Sequence, residues 1–143
     1  MTDDFNLAVY IKGDRKAVAV YNARLEIDYG PGPATYDLEV SDLTVPASVS
    51  RGEASEWSVT VYNNGPAVAS GTMTIEGVTS RNWSYGPWVA NFSNLAPGAS
   101  RTFSSSWSTN VNQPMTIDWT ATVDGTGDTN PSNDTLTATT TVN

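Results

Sequence analysis

Met115-Thr116-Ile117-Asp118-Trp119-Thr120-Ala121-Thr122-Val123 is the stretch that decides the fold. Every odd position is apolar and every even one is Thr or Asp. A period of two places all odd side chains on one face of an extended strand and all even ones on the other. A helix would scatter the same residues around its circumference. This strand therefore buries one face and wets the other.

Five further runs repeat the pattern on either side. Ser55–Asn63 turns Trp57, Val59 and Val61 inward, and the turn Asn63-Asn64-Gly65-Pro66 follows it. Ala67–Val78 presents Ala69, Met73 and Ile75. Arg101–Ser108 carries Phe103 and Trp107, and Thr135–Val142 carries Leu136, Ala138 and Val142. Tyr36–Val45 places Leu38 and Val40 inward, then Leu43 and Val45. Its phase slips by one at Ser41-Asp42, which predicts a bulge or a strand that changes sheets. A seventh run falls within 81–92. The inward set is Trp57, Val59, Val61, Phe103, Ile117, Trp119 and Leu136. No window has helical periodicity, so the class is all-β: an immunoglobulin-like antiparallel two-sheet sandwich of about seven strands.

Composition agrees. The 143 residues include 19 Thr, 15 Ser and 12 Asn, and charged residues make up only 15%. Thr favours a pleated surface. Neither Cys nor His occurs, which removes thiol chemistry, thiolate metal sites, disulfides, imidazole zinc sites and Ser-His-Asp triads. The net charge of −8 argues against nucleic acid, whose recognition rests on clustered Lys and Arg, and against anionic lipid. No apolar run approaches the ~20 residues of a membrane span.

The charge is unevenly spread. Residues 1–36 carry five acids and four bases, a net −1, while residues 37–143 carry ten and three, a net −7. Near that divide lies Gly30-Pro31-Gly32-Pro33, which suits neither helix nor strand. Upstream, Phe5–Ile11 and Ala17–Tyr29 read as two strands joined at Lys12-Gly13-Asp14-Arg15, a hairpin. The expected division is 1–35, a hairpin and linker ending a preceding unit, and 36–143, the sandwich.

Several stretches of the second part carry a resemblance: Asp37-Leu38-Glu39-Val40, Val59-Thr60-Val61-Tyr62-Asn63-Asn64-Gly65, Leu95-Ala96-Pro97-Gly98, and Thr122-Val123-Asp124 with Asp128-Thr129-Asn130-Pro131-Ser132-Asn133-Asp134. Together they are similar to CARDB, the cell-adhesion-related domain found in bacteria. The resemblance implies an immunoglobulin-like module of a large prokaryotic cell-surface or secreted protein, with neighbouring domains of the same chain as its first partners.

Two constellations are candidate sites. Asp124, Asp128, Asn130, Asn133 and Asp134 lie within eleven residues and offer the oxygen donors that Ca²⁺ takes. The competing reading is a hairpin connection built on Asx-turns. Trp83, Tyr85 and Trp88, with Phe92 behind, could stack on a polysaccharide or anchor a surface protein; the competing reading is a ring that caps the sandwich. Both segments are expected in end loops, at 79–98 and 124–134. The acids Glu53, Glu56, Glu76 and Asp118 show no pairing of the kind a glycosidase needs. The sequence thus predicts a monomeric, extracellular, non-catalytic spacer or adhesion module without a cofactor, and as the alternative a carbohydrate-binding module.

Overall fold

The computed structural model describes residues 35–109 and 114–143; the hairpin expected over 5–29 and its linker lie outside them. Eight strands form: β1 (Leu38–Thr44), β2 (Ser48–Val49), β3 (Ala54–Asn63), β4 (Ala69–Thr79), β5 (Ser84–Leu95), β6 (Ser100–Ser108), β7 (Met115–Asp124) and β8 (Thr135–Val142). They build a three-stranded sheet, β1-β3-β6, and a five-stranded sheet, β2-β8-β7-β4-β5. The fold is the immunoglobulin-like sandwich the alternation predicts.

The phase slip in the first strand is real. The β1–β3 register shifts between Val40 and Asp42, a bulge that returns Leu43 toward the core side. A few residues later the chain changes sheets and enters β2. That two-residue strand has no periodic signal, and it pairs with β8 in parallel at Ser48–Thr141 and Val49–Val142. This short parallel pairing is the one addition to the antiparallel sandwich among the named strands of the described residues.

The segment Ser84–Leu95 is a strand, as the seventh run within 81–92 anticipates, and most of the end loop expected at 79–98 is therefore corrected. Only 80–83 and 96–99 remain as turns on either side of β5. Its alternation is hidden because the β4–β5 register shifts between Ile75 and Gly77, and again between Ala69 and Gly71. Gly86 at φ +86° and Asn94 at φ +58° supply the kinks, a conformation in which glycine is free and Asn is among the tolerated residues.

The core fills from both sheets. Leu38, Val59, Val61, Met73, Ile75, Ile117, Trp119 and Val142 are fully enclosed. Trp119 lies at the centre, with ring centroids 5.0 Å from Trp107, 6.2 Å from Tyr85 and 6.2 Å from Trp88; Trp57 lies 5.8 Å from Trp88. Trp119 Nε1 donates to Thr140 Oγ1 at 3.0 Å, and that hydroxyl donates to the Pro46 carbonyl at 2.8 Å. A buried indole N–H is thus satisfied through a buried threonine.

Two members of the predicted inward set differ in depth. Phe103 is half-buried against Phe92. Leu136 is paired with buried Ala121 and so has the expected face, but it is 37% exposed. It sits at the start of β8, beyond the reach of β2, which flanks only Thr141 and Val142.

Candidate functional site

The loop between β7 and β8 closes over the beginning of β1. Asp128 is its centre. Its Oδ1 accepts from the Asn130 N–H at 2.8 Å, an Asx-turn, and its Oδ2 accepts from the Leu38 N–H at 2.7 Å. The Thr129 N–H and hydroxyl both donate to the Tyr36 carbonyl, at 3.0 and 3.1 Å. Asn133 Nδ2 donates to Asp37 Oδ1 at 2.9 Å, and its carbonyl accepts from the Val40 N–H at 3.2 Å. The loop is a clasp on Tyr36–Val40.

Negative charge collects in this clasp. Burial raises the Asp134 carboxyl to about 6, helped by Asp128, Asp37 and Asp124. Its Oδ1 and the Oδ1 of Asn133 are buried without a hydrogen-bond partner. Burial also raises the Tyr36 hydroxyl, with Asp128 and Asp124 adding to the effect; the hydroxyl donates to the Ser70 carbonyl at 3.3 Å.

The donors predicted for Ca²⁺ do not form a ligand set here. A calcium site needs six to eight converging oxygens. Both Asp128 oxygens are engaged by backbone amides, and Asn130 Oδ1 accepts from Ser132 Oγ at 2.6 Å. Among the described residues no three acidic side chains are grouped so as to hold an ion. Beside the clasp, an open groove of about 310 Å³ is lined by Ser70, Thr72, Phe92, Asp124 and Thr126 with two glycines, and Asp124 is its one ionisable side chain.

The aromatic candidates separate. Trp83 is 55% exposed in the β4–β5 turn. Tyr85 and Trp88, on β5, instead face the core, where Tyr85 packs 5.6 Å from Trp107 and Trp88 joins Trp57 and Trp119. Burial raises the Tyr85 hydroxyl. The three rings therefore do not share a surface, because the β5 bulge turns two of them inward.

The remaining acids are dispersed. Glu53 Oε2 accepts from the Ser50 N–H at 3.0 Å, and Asp118 Oδ1 accepts from Thr139 Oγ1 at 2.9 Å. Glu76 and Asp118 stand on the open outer face of the five-stranded sheet, and Glu56 is exposed on β3 of the other sheet, so these acids line no common cleft.

Asn63, a turn residue by its sequence, has a larger part in the structure. It is fully buried. Its Nδ2 donates to the Ala67 and Leu95 carbonyls at 2.8 and 2.9 Å, and its Oδ1 accepts from the Gly65 N–H at 3.0 Å. Gly65 must lack a side chain, since a Cβ there would lie 2.4 Å from Tyr36 Cα. The paired Asn residues before a glycine are the signal for both roles.

The architecture and its chemistry define a class: an immunoglobulin-like sandwich whose polar clusters brace backbone. The CARDB family model matches residues 35–140, and the chain belongs to that family. A crystal structure of the CARDB domain of a Pyrococcus furiosus protein, in complex with di-metal ions, is similar with a TM-score of 0.57 and 21% identity, covering 78% of this chain and 97% of that one. The solution structure of the same domain has a TM-score of 0.57 and 22% identity, covering 76% and 96%. A β-glucosidase from Listeria innocua in complex with glucose has a TM-score of 0.53 and 15% identity; the match covers 80% of this chain but 17% of the enzyme, and shows the fold alone. No curated protein matches the chain. No helix among the described residues is long and apolar enough to cross a membrane.

Proposed function

We propose that this domain is a spacer or adhesion module within a larger, exported prokaryotic protein, with the neighbouring domains of its own chain as principal partners. The observation that carries this reading is the placement of the ends. The segment leading into β1 lies at the clasp beside Asp128, and the far end of β8 leads to Asn143, which is bonded to Val49 and Arg51. The eight residues of β8 run between these points, about 25 Å at the rise of an extended strand. A module whose ends lie at opposite poles extends a chain when repeated.

The test is two copies joined in tandem through the natural Gly-Pro linker and measured by small-angle scattering. The spacer reading expects the maximum dimension to grow by a module length; a folded-back pair would refute it. Of its three candidate rings, the carbohydrate-binding alternative retains Trp83 as the exposed one. Calorimetric titration with a polysaccharide panel should give no heat that Trp83→Ala removes.

A further inference from the structure

The first and last described segments run in the same direction and are joined in parallel at both ends. Upstream there is the parallel bridge Tyr36–Asp128, and downstream the pairing of β2 with β8. The other strand ladders among the described residues are antiparallel. At the upstream seam the Leu38 N–H donates to Asp128 Oδ2 at 2.7 Å, the Thr129 N–H to the Tyr36 carbonyl at 3.0 Å and the Val40 N–H to the Asn133 carbonyl at 3.2 Å. At the downstream seam the Thr141 N–H donates to the Ala47 carbonyl at 2.9 Å and the Asn143 N–H to the Val49 carbonyl at 3.0 Å. The Arg51 N–H and Nε both donate to the Asn143 carbonyl, at 3.3 and 3.1 Å. Side chains add Thr140 Oγ1 to the Pro46 carbonyl at 2.8 Å and Asn143 Nδ2 to Ser48 Oγ at 2.9 Å.

Tension along the chain pulls Tyr36 and Asn143 apart, parallel to both segments. Two parallel strands loaded at opposite ends must slide past one another, so the bonds between them share the load and fail together. Bonds opened from one end fail singly. Each contributes little at equilibrium, but forced unfolding is governed by the unfolding rate rather than by equilibrium stability. We propose that the two seams form a shear clamp that keeps the domain folded under tension, so that it serves as a force-resisting link between its neighbours. This deepens the spacer reading and rests on it for its biological setting.

The experiment is single-molecule force spectroscopy on the full chain held between handle domains. It compares the terminal axis with an axis from Glu53→Cys to the C-terminus; with no native cysteine, the new thiol is the sole attachment point. The second axis opens the downstream seam from one end. The clamp predicts a higher rupture force along the terminal axis. It also predicts that Thr141→Pro, which deletes the N–H given to Ala47, lowers that force toward the one-ended value. Equal forces on the two axes, or a terminal force unchanged by Thr141→Pro, would overturn it. If Thr141→Pro does not fold, Arg51→Ala replaces it: a reduced terminal force supports the clamp and an unchanged one refutes it. A soft domain that still extends in tandem would sink the clamp and leave the spacer role standing.

Discussion

Trp119, Asn63 and Asp134 illustrate three ways in which one side chain governs this domain. Trp119 is fully buried between the sheets and bonded to Thr140. Trp119→Ala should lower unfolding free energy by about 3–5 kcal/mol, as read by denaturant titration; a change under ~1 kcal/mol would mean that the ring is not the core's centre. Asn63→Ala strands the Ala67 and Leu95 carbonyls and the Gly65 N–H without their partner. Leaving buried groups unpaired costs on the order of 1–3 kcal/mol each, so this polar substitution should rival Trp119→Ala in the same titration.

Asp134 acts through charge. Its folded carboxyl is raised from 3.8 to about 6, so the folded state holds the proton more tightly than the unfolded one. That contribution to stability is fully present below the unfolded value and is lost as pH rises through about 6. Melting temperature should therefore gain on acidification from pH 7 toward 5, and Asp134→Asn should flatten that segment of the profile. A profile identical in the two proteins would show that the carboxyl titrates normally.

At the scale of elements, legibility followed periodicity. The β7 strand could be read in full because the five apolar residues of its alternation all face a continuous core. The slip at Ser41-Asp42 could be read because Leu43 and Val45 resume the pattern one position late. β2 could not be read, since two residues have no period and its pairing depends on β8, far away in sequence. β5 was half legible: its residues are strand-formers, but the bulge opposite Glu76 breaks the alternation and turns Tyr85 and Trp88 inward. Predicting that reversal from sequence requires knowing the partner strand. The clasp was legible as Asx-turn chemistry, but not as a brace, because Tyr36 and Asp37 lie ninety residues or so from their partners. Asp128→Ala should free the Leu38 N–H and lower the melting temperature, whereas millimolar Ca²⁺ against chelator should leave the wild-type melting temperature unchanged. A Ca²⁺-dependent rise that Asp128→Ala removes would show that the loop rearranges into an ion site.

For the whole molecule, the linker and charge divide predict modularity. A chain beginning at Ala34 should fold, remain soluble and melt close to the full-length protein. A much lower melting temperature would make the upstream hairpin an integral part of the sandwich. Of the acidic side chains in the β7–β8 loop, Asp128 is tied to backbone through both oxygens. Among the described residues, a large share of the polar side chains join β1 and β2 to the β7–β8 loop and β8.

The separation of Trp83 from the other four indoles has an optical consequence. Trp57, Trp88, Trp107 and Trp119 are linked by centroid distances of 5.0–6.2 Å, close enough to exchange excitation and to emit as one shielded, blue-shifted population. Trp83, the most exposed of the five at 55%, should emit to the red. Acrylamide, which is uncharged and indifferent to a −8 surface, should extinguish the red component first, and Trp83→Phe should remove it. The domain thus carries one lamp outside and a coupled set within, and any neighbour that docks over the β4–β5 turn will announce itself by dimming or shifting the outer one.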